Sequence, residues 1–419
     1  MTGPRASPSS SWWLANLPEG DIPAPLEKLP EYADIVVIGA GMTGCSVAYW
    51  LRRLSDRSCL VLDARGVAGG ATGRNGGHLW ARPESEFETE TTRELLSFIE
   101  QERVECDLRV AGTAALERRT EPDVQFHDTL GDPENVEGDD EWGGAGVASW
   151  DEATCQAELR TDAFVAGTHY PAAAQFYPAK VTAALLRTSG AALGAPVQVV
   201  AIEADESGGP LLRTDAGSVR AQVVVVATNG WAAELLPELA PHLHATRNQV
   251  IMTRPLEASA SWSVGGLSVD DGAREVYAIR RPDGRVCLGG ARAIEPDAAV
   301  GSSDDSSLSE AVGAYLRSFL KESFPALGFE DDDVEAEWTG VLGFTTDGRP
   351  ICGAVPGRPG VFVAVGYCGH GMPQCFGVGK NMAIMAEDAL RCGAEDSTET
   401  RPPLHPYVAG PANAARFLG

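Results

Sequence analysis

Three glycines mark the first place where this chain can do chemistry. Gly39, Gly41 and Gly44 fall in the order G-x-G-x-x-G, with Met42 and Thr43 between the last two. Gly39 permits a tight turn, Gly41 lets backbone approach a pyrophosphate, and Gly44 lets a helix pack close to a strand. Asp63 lies roughly 20 residues further on, where a carboxylate accepts hydrogen bonds from an adenosine ribose. A glycine-dense run follows at once, from Ala64 and Arg65 through Ala71, Thr72, Arg74, Asn75, Gly76 and Gly77 to His78. Its glycines let backbone N–H groups crowd a flat or charged ligand. The pattern points to a dinucleotide, and by itself leaves FAD and NAD both open.

These residues need a particular scaffold. Residues 33–38 form a β-branched run suited to a strand buried on both faces. A helix over about 43–53 would aim its N-terminal N–H groups at the phosphates, where its dipole favours negative charge. Residues 59–62 read as the next strand, ending at Asp63. Helical spacing recurs near 84–104, 181–193 and 307–323, and strands are expected near 197–202, 211–214, 222–226, 250–253, 275–279, 286–289 and 335–341. A last strand runs from Val361 into Gly366, and a last helix from near Pro373 to about Leu390.

The totals bound the function. A chain of 419 residues has room for two domains. A net charge of −26 argues against nucleic acid or an anionic membrane as partner. Acidic clusters at 137–141 and 331–333 read as exposed loops. Nine cysteines without a C-x-x-C pair suit free thiols in a reducing compartment, and no metal-ligand spacing is present. The opening residues lack the apolar segment of a signal peptide, so a cytoplasmic enzyme is expected. Trp12 and Trp13 should pin the Pro- and Ser-rich start to the body.

The first glycine turn, Asp63 and the run "GATGRNGG" over residues 70–77 together resemble the FAD-dependent amine and amino-acid oxidoreductase family, which includes D-amino-acid oxidase, glycine oxidase and sarcosine oxidase. The form of the run is closest to γ-glutamylputrescine-oxidase-like and fungal members. Two later stretches fit the resemblance. The valine strand ending in Ala227 and Thr228 looks like the family's second nucleotide-side fingerprint, with Trp231 beside it and Val199 where relatives place a backbone contact to adenine. Gly369, His370, Gly371 and Met372 match "GHG", which in relatives lays backbone against the isoalloxazine, with Gly340 on an adjoining stretch. The resemblance implies bound FAD and an α/β, Rossmann-like FAD-binding domain of the glutathione-reductase type, with an inserted mixed, largely antiparallel-sheet (α+β) substrate domain. The expected division is 31–95, 175–245 and 335–395 for FAD, 96–174 and 246–334 for substrate, and irregular arms at 1–30 and 396–419.

The implied chemistry is oxidation of a C–N bond in a small amine or amino acid, by hydride transfer to flavin N5, with O2 reduced to H2O2. A flavin dehydrogenase using another acceptor, or a catalytically silent FAD-binding protein, are the alternatives. His78 should lie near the flavin, tuning it or helping the substrate lose a proton. Tyr277 should shape the pocket, and Arg280 or Arg281 should clamp a carboxylate, as planar guanidinium suits bidentate pairing. His370 is expected to act through its backbone. Two departures matter. Sarcosine-oxidase-like members attach flavin through a cysteine where this chain has Thr339, Gly340 and Val341, so FAD should be non-covalent. They also bind a carboxylate with a lysine just after "GHG", where this chain has Pro373.

Overall fold

The computed structural model describes residues 4, 7–118, 142, 144–257, 262–270 and 274–392. The arm 396–419 and the acidic cluster 137–141 lie outside the described residues. Tyr32–Ile38 is the central strand of an eight-stranded sheet. Cys59–Leu62 runs parallel to it on one side and Gly217–Val226 on the other, and Ala192–Gly194 extends the parallel set beyond Cys59–Leu62. Gly217–Val226 changes partner along its length. Its first residues run antiparallel to Pro210–Thr214, itself paired with Val199–Ala204, while 224–226 run parallel to Val361–Val365.

Alternation along the central strand separates two cores, because successive side chains point to opposite faces. Ile35 and Val37 join the core under the helices Met42–Leu54, Pro178–Ser189 and Cys375–Cys392; Val36 and Ile38 join the core on the other face. All of these strand residues but Ile38 are fully buried, and Ile38 is 4% exposed. Burial on both faces is why the strand reads as an unbroken apolar run.

A second eight-stranded sheet follows the order Val334–Thr345, Leu243–Thr253, Val286–Gly290, Val276–Arg280, Gly266–Asp270, Thr113–Arg118, Phe164–Tyr170, Ala148–Asp151. Its neighbours are antiparallel except Gly266–Asp270 with Thr113–Arg118, so the sheet is mixed and largely antiparallel. The helix Glu310–Ser323 covers its core. His78–Trp80, Ala173–Gln175 and Arg109–Val110 form a small third sheet.

Four expectations need correction. Val334–Thr345, assigned to the FAD-binding part from residue 335, pairs along its length with Leu243–Thr253 in the second sheet. The helix Glu86–Gln101 runs through the boundary expected at 95/96. Asp333 is 3% exposed rather than looped into solvent, because it pairs with Arg254 and its carboxylate accepts from Glu330 N. The start of the chain is not wholly irregular, since Trp12–Ala15 makes one helical turn with both tryptophans buried. Among the described residues no helix is long and apolar enough to cross a membrane.

Candidate active site

The first glycine turn is built by close contact. A Cβ on Gly44 would overlap the carbonyl of Gly39, and one on Gly39, where φ is +111°, would meet the Ala227 carbonyl at 2.6 Å. Gly44 therefore works one layer beneath the turn rather than at the ligand surface. Asp63 fastens the turn to the neighbouring strand: Oδ2 accepts from Ala40 N, and Oδ1 from Arg65 N and Gly66 N, each at 2.8 Å. The glycine run folds over the start of the helix Met42–Leu54, where Thr72 Oγ1 accepts from Met42 N at 2.9 Å.

The late Gly-His-Gly bend reaches the same place. Thr43 Oγ1 donates to the Tyr367 hydroxyl at 2.9 Å, joining the first helix to the residue before that bend. Positive φ at Gly366, Cys368 and Gly369 turns the chain there. One cavity of about 480 Å³ is lined by both bends: Gly39, Gly41, Met42 and Thr43 from the first, Gly369, Gly371 and Met372 from the last. Asp63, Ala64, Arg65, Ala71, Thr72, Asn75, Val199, Ala227, Thr228 and Trp231 complete the expected wall. Asn229, Glu234, Leu342, Tyr367 and Cys375 line it too and were not foreseen. Asn229 carried a signal in its place after Ala227 and Thr228; its Oδ1 accepts from Gly366 N at 2.9 Å, tying two strand ends together.

A second cavity of about 700 Å³ adjoins the first and shares Ala71, Asn75, Leu342, Gly369 and Met372 with it. Arg74, Gly76, His78, Tyr277, Gly340 and His370 line this one. A Cβ on Gly76 would meet the Tyr277 ring at 2.6 Å, so the second sheet presses directly on the glycine run. Asn248 lies beside the Tyr277 hydroxyl, whose ionisation burial disfavours. Burial, with a smaller contribution from His370, holds His78 down to about 3, so its ring is neutral. Its Nε2 is buried without a hydrogen-bond partner. Acidic side chains also face this cavity, namely Glu117, Asp270 and Glu275, the last paired with Arg292 at 2.7 Å.

Several expected site residues do other work. Arg280 lines neither cavity. Strand alternation sends it to the face opposite Tyr277, where burial and then the charges of Arg109 and Arg160 lower its pKa. Arg281 is 3% exposed, pairs with Asp107 at 2.8 Å and lies over the rings of Trp12, Trp13 and Tyr177. Arg74 touches the second cavity, but its guanidinium donates to the carbonyls of Gly69, Ser9 and Thr339. Burial pushes its pKa down to about 10. Arg65 makes a two-pronged pair with Asp305 at 2.7 and 2.8 Å. Gly77 lines neither of these two cavities; its φ of +74° turns the chain against Phe176 and Trp13.

The first cavity fits a nucleotide cofactor. Gly39 and Gly41 bare backbone along its wall, and Thr228 Oγ1, Trp231 Nε1 and Glu234 Oε1 are buried there with no hydrogen-bond partner among the described residues. Such orphaned groups are costly unless a ligand satisfies them. A family profile described as FAD dependent oxidoreductase matches residues 34–385. The chain belongs to this FAD-dependent oxidoreductase family. Among its relatives, a probable oxidoreductase OrdL of Rhizobium meliloti (strain 1021) is 28% identical over 407 residues, covering 91% of this chain and 89% of that protein. The gamma-glutamylputrescine oxidoreductase of Escherichia coli (strain K12) is 26% identical over 416 residues, covering 92% and 91%. The crystal structure of glycine oxidase from Geobacillus kaustophilus has the same fold, with a TM-score of 0.68 at 20% identity, covering 91% of this chain and 99% of that one.

Proposed function

We propose that this FAD-dependent oxidoreductase oxidises the C–N bond of a small amine or amino acid to an imine and passes the electrons to O2, giving H2O2. The observation that carries the reading is the shared wall of the two cavities. The first glycine turn would hold the pyrophosphate of a dinucleotide, and Ala71, Asn75, Leu342, Gly369 and Met372 divide that cavity from the one lined by His78 and Tyr277, so a flavin held there would be open to a substrate in the second cavity. Bound there, FAD supplies an acceptor for the substrate hydride at N5 and a route for the electron pair to oxygen. The chain's own residues hold and shape. Gly39, Gly41 and the start of Met42–Leu54 suit the pyrophosphate, with Thr228, Trp231 and Glu234 offering polar atoms along the cavity. Tyr277 and Gly76 set the width of the substrate cavity. The helix Cys375–Cys392 begins at the cavity wall, where its positive end would favour negative charge on a flavin bound there.

The relatives support the substrate class: one is named for gamma-glutamylputrescine, and solved neighbours are titled glycine oxidase, L-amino acid deaminase and iminodiacetate oxidase. The substrate cavity itself favours an amine with little need of a carboxylate clamp. Arg292 is already paired with Glu275, and Arg74 is consumed by carbonyls. Anaerobic mixing of the purified yellow protein with amines, polyamines, amino acids and N-methyl amino acids tests this. Bleaching of the flavin band is expected with at least one amine, followed by fast recovery in air with one H2O2 per turnover. Recovery that is slow in air and fast with a quinone would replace the oxidase by a dehydrogenase.

A further inference from the structure

Glu88 is a carboxylate with no access to solvent, in the first turn of Glu86–Gln101. A buried charge is costly unless it is paired and hydrogen-bonded. Four donors surround this one. Arg82 N donates to Oε2 at 2.9 Å, the Arg82 guanidinium reaches Oε1 at 2.5 Å, and Gln374 Nε2 donates to Oε1 at 2.9 Å. The fourth is His370 Nε2, 3.0 Å from Oε2. Burial opposes ionisation most strongly, but the hydrogen bond and charge of His370 and then Arg82 outweigh it and hold the carboxyl down to about 2. An ionised carboxylate only accepts, so His370 carries its proton on Nε2 and leaves the Nδ1 lone pair open. Among the described residues no hydrogen bond engages Nδ1. Gly369 and Gly371 line the cofactor cavity on either side, while His370 lines the substrate cavity with 29% of its side chain exposed.

We propose that His370 Nδ1 takes the proton of the substrate ammonium, and that Glu88 is the positioning residue that orients the ring and sustains its charge. The inference rests on the reading of the site as one that oxidises a C–N bond. The step breaks one substrate N–H bond and forms Nδ1–H. The ammonium becomes a neutral amine and keeps the electron pair that the C=N bond needs, and the imidazole becomes imidazolium beside the Glu88 carboxylate. His78 is the poorer acceptor, with its Nε2 buried and no carboxylate on its ring among the described residues. The groups that bear on His370 are Glu88, Arg82 from the segment before the helix, and His78 from its strand. Cys368 on the same bend, and Glu117, Asp270 and the Arg292–Glu275 pair from the second sheet, share its cavity. Of these, Glu88 alone is a carboxylate bonded to the ring.

The test is the pH dependence of kred/Kd for anaerobic flavin reduction in the holoenzyme, using any amine that reduces it, with His370→Gln and Glu88→Gln. The wild type should rise with pH through a free-enzyme limb. His370→Gln should lose that limb and, above it, about 100-fold in rate. Glu88→Gln should move the limb to lower pH, since loss of the carboxylate disfavours imidazolium. Histidine ring 15N resonances of the wild type give a readout that needs neither turnover nor a folded variant. They should show an Nε2–H tautomer for His370 that titrates with the kinetic limb. An unchanged limb in His370→Gln, an Nδ1–H tautomer, or a titration apart from the limb overturns the proposal. If no amine reduces the wild type, the reading as an amine oxidoreductase fails instead, while the ring resonances still decide the dyad.

Discussion

His78 and His370 stand on one cavity wall in opposite surroundings, and the difference has a consequence for stability as well as for chemistry. The unfolded chain holds a proton on His78 up to its ordinary value of 6.5, whereas the folded chain gives it up down to about 3. Stability therefore falls as pH drops below about 6.5. Glu88, ordinarily at 4.5 and held near 2 in the fold, contributes stability at neutral pH that is lost as pH falls through 4.5 towards 2. Urea midpoints are expected to decline from pH 7 to pH 5, and His78→Gln should flatten that upper part of the slope while leaving the steeper loss below pH 4.5. Gly44 makes a second test. Alanine there would overlap the Gly39 carbonyl, so Gly44→Ala should cost about 1–3 kcal/mol in denaturant unfolding and lower the flavin-to-protein absorbance ratio. The glycines were legible because backbone geometry depends on the residue itself. The arginines were not. Which face of a strand carries Arg280 depends on register, and a slip of one residue reverses it.

At the scale of elements, the N-terminal turn acts on the glycine run. Trp13 Nε1 donates to the Asn75 carbonyl at 2.7 Å, Tyr177 donates to the Trp13 carbonyl at 2.5 Å, and the Trp13 and Tyr177 rings pack edge to face at 4.9 Å. Ser9 accepts from Arg74 through its carbonyl at 2.9 Å. Trp13→Ala should cost about 3–5 kcal/mol. It should also weaken FAD retention by dialysis and speed hydrogen exchange over residues 69–77, more than an equally buried change on the far face such as Leu239→Ala. Most elements were readable from period and punctuation: the expected strand 33–38 is Tyr32–Ile38, the helix 43–53 is Met42–Leu54, and Pro178 opens its helix at the first turn. Their partners were less so. Val334–Thr345 has a strand's composition, but its alignment on Leu243–Thr253 is settled by tertiary pairing. Glu88 and His370 lie 282 residues apart, and nothing local in either segment marks the other.

For the whole molecule, the site lies where two sheets meet, so chemistry and cofactor are held by stretches distant in sequence. FAD should be released into the supernatant by acid precipitation, because the stretch Thr339–Val341 offers no thiol and Gly340 instead packs against Arg74. Flavin that stayed with the pellet would direct attention to Cys368 and Cys375, which line the two cavities. The net charge of −26 and the carboxylates of Glu117, Asp270 and Glu275 should make kcat/KM for a cationic amine fall as salt is added. The change of partner along Gly217–Val226 reaches beyond catalysis. During synthesis the ribosome delivers residues 32–226 long before 361–365, so the last three residues of that strand, Val224–Val226, wait with a bare edge until most of the polypeptide has emerged. An unpaired edge of consecutive valines invites association with other nascent chains. Nascent copies stalled short of residue 361 should therefore depend on chaperones far more than the finished protein does.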